Sequence, residues 1–456
     1  MADLNSAVTG DRIYTNVALN PTRAVRVPLM VVLLLVGVVL VYAADRAARE
    51  GVDRGWFVAV SLSGLFVVRG LHLRRPITLP HFTFALIVLG IANVGYRSDH
   101  PTAGFVFLSC TGLILMLPQG SKPQPDQMPR IAALVDRTSE DPIAPFALHS
   151  AKSYFFSTDS RAAIGYRTRF GIAVVAGDPI GDAAEFGTLV EEFSEFAAAH
   201  GWRIAVLAAS PGLTELWRTR AGGHHGLHAI PIGRDVVVDV DSFDMVGRTF
   251  RNLRQAVSRT RNFGVKTEIL AERDLDDEMR ATLLSIVDEW GTGHQNRGFS
   301  MILDHLLDGR NPGMLVVLAR DGDGRVAGFQ RYGTSNHGAE LTLDVPWRRK
   351  DAPNGLDERM IVDLIEYGRE HDVHRISLAF AAFPELYADK DRSRTRQGLY
   401  ILARTLDPLI RLESLYRFLR KFHSFGNQRY VLIRWREIVF TAAALLTLEF
   451  VPRRPS

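Results

Sequence analysis

A single cysteine, Cys110, is present in 456 residues, and it falls inside an apolar run. That excludes a disulfide framework and a thiolate metal centre, and leaves a small buried hydrophobe as its plainest role. Nucleotide-binding glycine loops are missing too: there is no Gly-x-x-x-x-Gly-Lys-Ser/Thr and no Gly-x-Gly-x-x-Gly after a strand. No His-Glu-x-x-His helix offers a catalytic metal, and the adjacent His224 and His225 lack further ligands at metal-binding spacing. A Gln/Arg-x-x-Gly-x-Gly/Ala turn of the kind that holds coenzyme A pyrophosphate is also absent, which weighs against an acetyl donor. Neither cofactor nor metal is expected. Neither sign of charge dominates, with a net of only +4, so an anionic partner is permitted but lipid and RNA are not ranked.

What is abundant is apolar sequence in the first quarter. Val27 to Ala44 is nearly uninterrupted Val and Leu, and Trp56 to Val68, Leu79 to Val94 and Ala103 to Pro118 are free of charge. A bilayer crossing takes about 20 residues, so residues 23–118 are expected to hold four membrane-spanning helices behind a tail at 1–22. Arg12, Arg23, Arg26, Arg69, Arg74, Arg75, Lys122 and Arg130 outnumber Arg46, Arg49, Arg54 and Arg97 on the other side, which predicts cytoplasmic termini in the cell membrane. The proline-rich stretch from Ser121 to Gln127 predicts a linker over 119–145.

Beyond it, short apolar strands alternate with amphipathic helices, the pattern of an α/β (α+β) fold. One unit is expected over 146–271, including a helix from Met245 to Asn262 and a closing strand from Val265 to Leu270. A second follows over 272–437, with a hairpin at Asp321-Gly322-Asp323-Gly324. Two such units of similar size suit a duplicated acyltransferase fold better than one doubly wound sheet. Residues 438–456 form an apolar tail too short to span, suited to a core or interface-docking helix.

Glu340 and Asp344 stand four apart in a predicted strand, so period-2 alternation places them on one face. An acidic site for an amine and a solvated face of ion pairs both fit that spacing. Arg349 and Asp351, followed by Pro353-Asn354-Gly355 before a helix, shift the balance toward a site, since such a turn presents backbone N–H groups and Asn354 to an anion. Arg248, Arg251 and Arg254 recur every third residue on a predicted helix; a solvated face and a track for a phosphate backbone are equally open.

With Phe155-Phe156-Ser157, Gly177-Asp178-Pro179-Ile180-Gly181, Gly298-Phe299-Ser300, Glu340 with Asp344, Asp351 to Gly355, Lys421-Phe422-His423 and Arg429-Tyr430 in order, the sequence resembles the C-terminal domain of phosphatidylglycerol lysyltransferases, the MprF-type aminoacyl-phosphatidylglycerol synthases. The resemblance covers about residues 146 to 437. It implies two tandem acetyltransferase-like (GNAT) folds, aminoacyl-tRNA as donor, lysyl favoured, and phosphatidylglycerol as acceptor. It also implies Glu340, Asp344, Arg349, Asp351 and Asn354 as catalytic residues. Ser300, Gly355, Lys421, Arg429 and Asp178 would bind substrate, with Arg349, Lys421 and Arg429 facing phosphate, and Arg248, Arg251 and Arg254 would meet tRNA. A transferase of the same fold with another donor or acceptor, and a non-catalytic lipid- or RNA-binding membrane protein, are the rival expectations.

Overall fold

A computed structural model describes residues 18–19, 22–50, 54–98, 100–220, 226–290, 303–311, 313–382 and 412–450. Ser300, with Gly298 and Phe299, and the pair His224 and His225 lie outside the described residues. Two compact units are distinguished. The first takes in the apolar helices up to Ser121, with Thr168–Ala173 and Glu192–Ile204; the second holds Lys122–Arg167, Val174–Glu191 and the chain from Ala205 onward.

In the first unit the apolar runs form α1 (Arg23–Arg49), α2 (Gly55–His72), α3 (Leu79–Arg97) and α4 (Pro101–Leu115). The first three are long and apolar enough to cross a membrane. The fourth, expected to span as well, has 15 residues; at about 1.5 Å per residue it falls short of a hydrocarbon core of about 30 Å. Val38 is 68% exposed and Tyr42 69%, an apolar surface that suits lipid and not water. Small residues let the helices approach: the Gly112 amide of α4 donates to Ser63 Oγ of α2 at 2.9 Å, where a Cβ would collide with the Ser63 backbone.

The second unit opens where a linker was expected. Residues 128–137 form α5 (Met128–Arg137), with Ile131, Leu134 and Val135 buried at helical spacing and Pro129 tolerated in the first turn. The strands are β1 (Ser153–Phe156), β2 (Ala162–Arg169), β3 (Ile172–Ala176), β4 (Arg203–Ala209), β5 (His228–Asp239), β6 (Lys266–Ala271), β7 (Met314–Arg320), β8 (Val326–Ser335), β9 (Glu340–Arg348), β10 (Arg375–Ala382) and β11 (Phe425–Ile433). They lie in the order β1-β2-β3-β4-β11-β5-β10-β9-β8-β7-β6, with Ile180–Gly181 paired to β2. Helices α6 (Phe186–Ala199), α7 (Pro211–Arg220), α8 (Arg251–Asn262), α9 (Asp277–Asp288), α10 (Leu356–Glu370), α11 (Leu412–Leu419) and α12 (Ile438–Phe450) complete the fold.

That strand order is a tandem with exchanged partners. The last strand, β11, pairs β4 and so enters the first half, whereas β5 from the first half pairs β10 of the second. β6, expected to close the first half, pairs β7 at the far edge of the second. Each half is therefore completed by chain from the other, and one sheet results. The main core lies around β5, β9, β10, α8 and α10, where Val236, Val238, Leu253, Leu341, Ile361, Leu364 and Ile376 are buried together.

α8 begins at Arg251, not at Met245, because Gly247 adopts φ +88°, outside the helical region. Arg248 therefore precedes the helix that carries Arg251 and Arg254. Gly355 caps α10 at φ +101°, and a Cβ there would lie 3.0 Å from the Ala256 carbonyl oxygen of α8. Gly355→Ala should cost about 2 kcal/mol, the sum of left-handed strain and this contact. Urea unfolding would measure it; an unchanged midpoint would show that the cap relaxes freely.

Candidate functional site

At the ends of β3 and β4, within the second unit, the chain builds a cleft of about 880 Å³ lined by Thr138, Glu140, Asp141, Arg161, Asp178, Ser210 and Asn427 among others. Of these, Asp141 and Asp178 belong to an ionic cluster that continues beneath the lining. Arg429, on β11 and 1% exposed, donates Nε to both Asp235 oxygens at 2.9 and 2.8 Å, Nη2 to Asp141 at 2.8 Å and Nη1 to Asp178 at 3.2 Å. Nη1 also donates to the Ala208 carbonyl at 3.1 Å, on a residue held at φ +65°, a strained conformation for alanine. Three carboxylates thus meet one guanidinium.

Backbone geometry fixes each acid. Asp178 follows Gly177, which turns at φ +81° and donates its amide to Leu207 O at 2.8 Å, and its carboxylate accepts from the Ser210 amide at 3.1 and 3.3 Å. Asp141 is held from both sides by β9: Glu340 Oε1 accepts from the Glu140 amide at 3.0 Å, and Thr342 Oγ1 donates to the Pro142 carbonyl at 2.9 Å. Asp235 sits within β5 beside the valines of the core, buried to 2% exposure.

The surplus of negative charge shows in the acidities. Burial, and then the nearby Asp141, push Asp178 up to about 6, against the pull of Arg429 and the Ser210 amide. Burial likewise pushes Asp235 up to about 6, although Arg429 opposes it. For Arg429, burial disfavours the cation, but Asp141, Asp235 and Asp178 outweigh it and raise the guanidinium further. A second cation entering the cleft would relieve this imbalance.

The sequence-derived residues do not form one constellation. Asp178 and Arg429 meet at the cleft, with Arg429 enclosed by carboxylates and not offered to phosphate. Glu340 reaches the cleft through the loop it holds, and Arg375 Nη1 lies 3.8 Å from it. Asp344 is elsewhere, buried against Arg331 at 3.0 Å and accepting from the Leu303 amide at 2.8 Å; Arg331 also binds Glu272 at 2.5 Å. The β9–β8 register shifts between Arg331 and Tyr332, so strict alternation from Glu340 to Asp344 is interrupted. Arg349 pairs with Glu289 and donates Nε to Val326 O at 2.9 Å. Lys421 pairs with the buried Glu358, Asp351 is an exposed partner of Arg325 at 3.1 Å, and Asn354 is exposed at the α10 turn. Arg248, Arg251 and Arg254 are all exposed.

Asp141 and Asp235 were missed by sequence reasoning. Asp141 lies in the presumed linker, and only the isolated acid before the run Val236-Val237-Val238 signalled Asp235. Burial and the Glu272–Arg331 pair push the Asp344 carboxyl up and hold it, respectively, as part of the core. Asp344→Asn should cost about 1–3 kcal/mol by weakening a buried ion pair and leaving an amide hydrogen against Arg331 or Leu303. Thermal unfolding tests it; a loss of activity with unchanged stability would return Asp344 to the catalytic set.

Among known proteins, the family model described as phosphatidylglycerol lysyltransferase, C-terminal, matches residues 132–433. An MprF-like domain protein of Mycobacterium tuberculosis is 47% identical over 401 residues, 88% of this chain and 83% of that protein. The lysylphosphatidylglycerol biosynthesis bifunctional protein LysX of Rhodococcus jostii is 31% identical over 291 residues, 62% of this chain but 25% of LysX. The chain thus spans most of the first relative and about a quarter of the bifunctional one. The structure of L-PGS from Bacillus licheniformis aligns with TM-score 0.61 at 18% identity, over 73% of this chain and 98% of that one. A C-terminal domain from Agrobacterium fabrum, named for lysylphosphatidylglycerol synthetase, aligns with TM-score 0.60 at 22% identity over 73% and 99%. These two likenesses concern the fold, whereas the match over 132–433 concerns the sequence itself: the chain belongs to the phosphatidylglycerol lysyltransferase C-terminal family.

Proposed function

We propose that this chain transfers a lysyl group from lysyl-tRNA to phosphatidylglycerol at a membrane surface, and that Asp178 and Asp141 receive the cationic side chain of the lysyl group. The single observation that carries this is that Asp141 and Asp178, which line the cleft, share one buried guanidinium with a third carboxylate, Asp235. A buried acidic surplus is costly when empty and selects a cation when filled. Names of relatives that refer to lysylphosphatidylglycerol point to lysine as that cation.

The donor ester is already activated, so positioning supplies most of the rate. A glycerol hydroxyl oxygen attacks the aminoacyl carbonyl carbon, the bond from that carbon to the tRNA ribose oxygen breaks, and the hydroxyl proton ends on the ribose oxygen. Glu340 and Thr342 act as positioning residues, because they hold the loop that presents Asp141. Arg248, Arg251 and Arg254 pair with no carboxylate among the described residues and suit the tRNA backbone. A bilayer location with the second unit on the cytoplasmic side fits the apolar helices and the distribution of Arg around them.

Expression in a host that lacks aminoacylated lipids, followed by mass spectrometry of lipid extracts, tests the proposal. Lysyl-phosphatidylglycerol should appear only with the intact chain. A folded, membrane-inserted protein that yields no aminoacyl lipid would defeat the transfer reading and leave a binding protein; a different amino acid on the lipid would defeat only the choice of lysine.

A further inference from the structure

The first unit carries a basic niche that the transfer reaction does not use. Arg69 lies in the last turn of α2, and Arg74 and Arg75 form the turn toward α3. Arg75 is half-buried: its Nη1 donates to Met116 O, just beyond α4, at 2.8 Å, and its Nη2 stands over Gly171. Its Nε is buried and has no hydrogen-bond partner among the described residues. Arg203 approaches the same place, donating its amide to Gly171 O at 3.0 Å and Nη2 to Phe170 O at 3.4 Å. Gly201 allows the contact, since a Cβ there would lie 2.8 Å from Arg75 Cα.

Arg75 lies within electrostatic range of the Arg203 and Arg69 guanidiniums. Among the described residues, no carboxylate pairs with Arg69, Arg74 or Arg75. Burial first, then Arg203 and Arg69, pull the Arg75 guanidinium below its ordinary value, the response of a cation that lacks a counter-charge. At the same end of the helices Arg26 is within electrostatic range of Arg23 and Arg74. Beside the niche, Trp202 donates Nε1 to Gln119 O at 2.9 Å and stacks on His200 at 4.6 Å between ring centroids, an amphipathic pair suited to headgroup depth. A flank of exposed arginines alone would follow from membrane topology. A half-buried arginine with an unused donor, crowded by like charge, is a receptor for an anion.

We propose that Arg75, with Arg69 and Arg203, forms a headgroup site for the phosphate of an anionic phospholipid at the end of the apolar helices. A lipid is favoured over RNA because the niche adjoins helices with lipid-suited surfaces and the turn at Pro76–Thr78 that opens α3. This inference rests on the membrane placement of the helices and not on lysyl transfer, so it stands or falls separately.

The full chain, purified in nanodiscs of phosphatidylcholine with a minor share of phosphatidylglycerol, is washed with detergent, and its retained lipid is identified by mass spectrometry. Retention of phosphatidylglycerol over phosphatidylcholine should fall about fivefold to tenfold in Arg75→Gln and partly recover in Arg75→Lys. Arg97→Ala, at the other end of α3, should leave it unchanged. If Arg75→Gln does not fold, the exposed Arg69→Gln variant decides with the same readout. Unchanged enrichment in a folded variant, or an equal loss in Arg97→Ala, overturns the site. Displacement of the lipid by millimolar inorganic phosphate assigns a free-phosphate site and overturns the lipid assignment; displacement by RNA overturns it in favour of nucleic acid.

Discussion

Arg429→Met should destabilise the protein by about 3–5 kcal/mol at pH 8, enough to unfold many domains, because it strips three buried carboxylates of the guanidinium they share. The loss should shrink as pH falls. Asp178 and Asp235 are raised from an ordinary 3.8 to about 6 in the folded protein, so the native state holds their protons more tightly than the unfolded chain does. The stability they contribute is complete below the unfolded value and is lost as pH rises through about 6. Above that range the ionised acids depend on Arg429, and below it they do not. Urea denaturation of wild type and variant at pH 5 and pH 8 measures both terms. A variant as stable as wild type at pH 8 would mean that water reaches the cluster and that it is not a desolvated ionic site.

Much of this was legible in the chain. Unbroken apolar runs gave away α1 to α3, alternation gave most strands, and Asp321 to Gly324 marked a hairpin whose Asp321 amide does bond Arg325 O at 2.9 Å. Partners were not legible. Alternating Val in β5 says that the strand is buried but not that β10 and β11 flank it, and no local pattern distinguishes β6 as an edge of the second half from the end of the first. Pro123 and Pro125 read as the start of a linker over 119–145, yet α5 begins within it at Met128 and takes Pro129 into its first turn, where a missing N–H costs little. The site suffered from the same blindness to distance in space. Asp178 and Arg429 were each singled out, yet 251 residues apart they could not be seen to share a cluster with Asp141 and Asp235. Glu340 and Asp344, adjacent by spacing, serve separate networks because the sheet register shifts between them.

Asp178→Asn separates function from stability. The side chain keeps its shape, Ser210 can still donate to its carbonyl oxygen, and Arg429 retains Asp141 and Asp235. Removing one of three crowded charges should leave the thermal midpoint at pH 8 equal to or above that of wild type. The difference should open between about pH 4 and pH 6, since Asn mimics the protonated acid at every pH and escapes the cost that wild type meets as Asp178 ionises. Lysyl transfer should fall at the same time. A buried charge pair to the lysyl amine is worth about 2–4 kcal/mol, roughly 30- to 1000-fold in kcat/KM. Wild-type kcat/KM should rise with pH through about 6 as Asp178 becomes able to hold the cation, and this rise should flatten in the variant. Transfer kinetics on lysyl-tRNA with phosphatidylglycerol vesicles, run beside thermal unfolding of the same preparations, reads both effects. Full activity in Asp178→Asn would remove the cleft from the cation-binding role. Unfolding of that variant would instead show that Asp178 is a needed partner of Arg429 and that the cleft carries no surplus of charge for a substrate to neutralise.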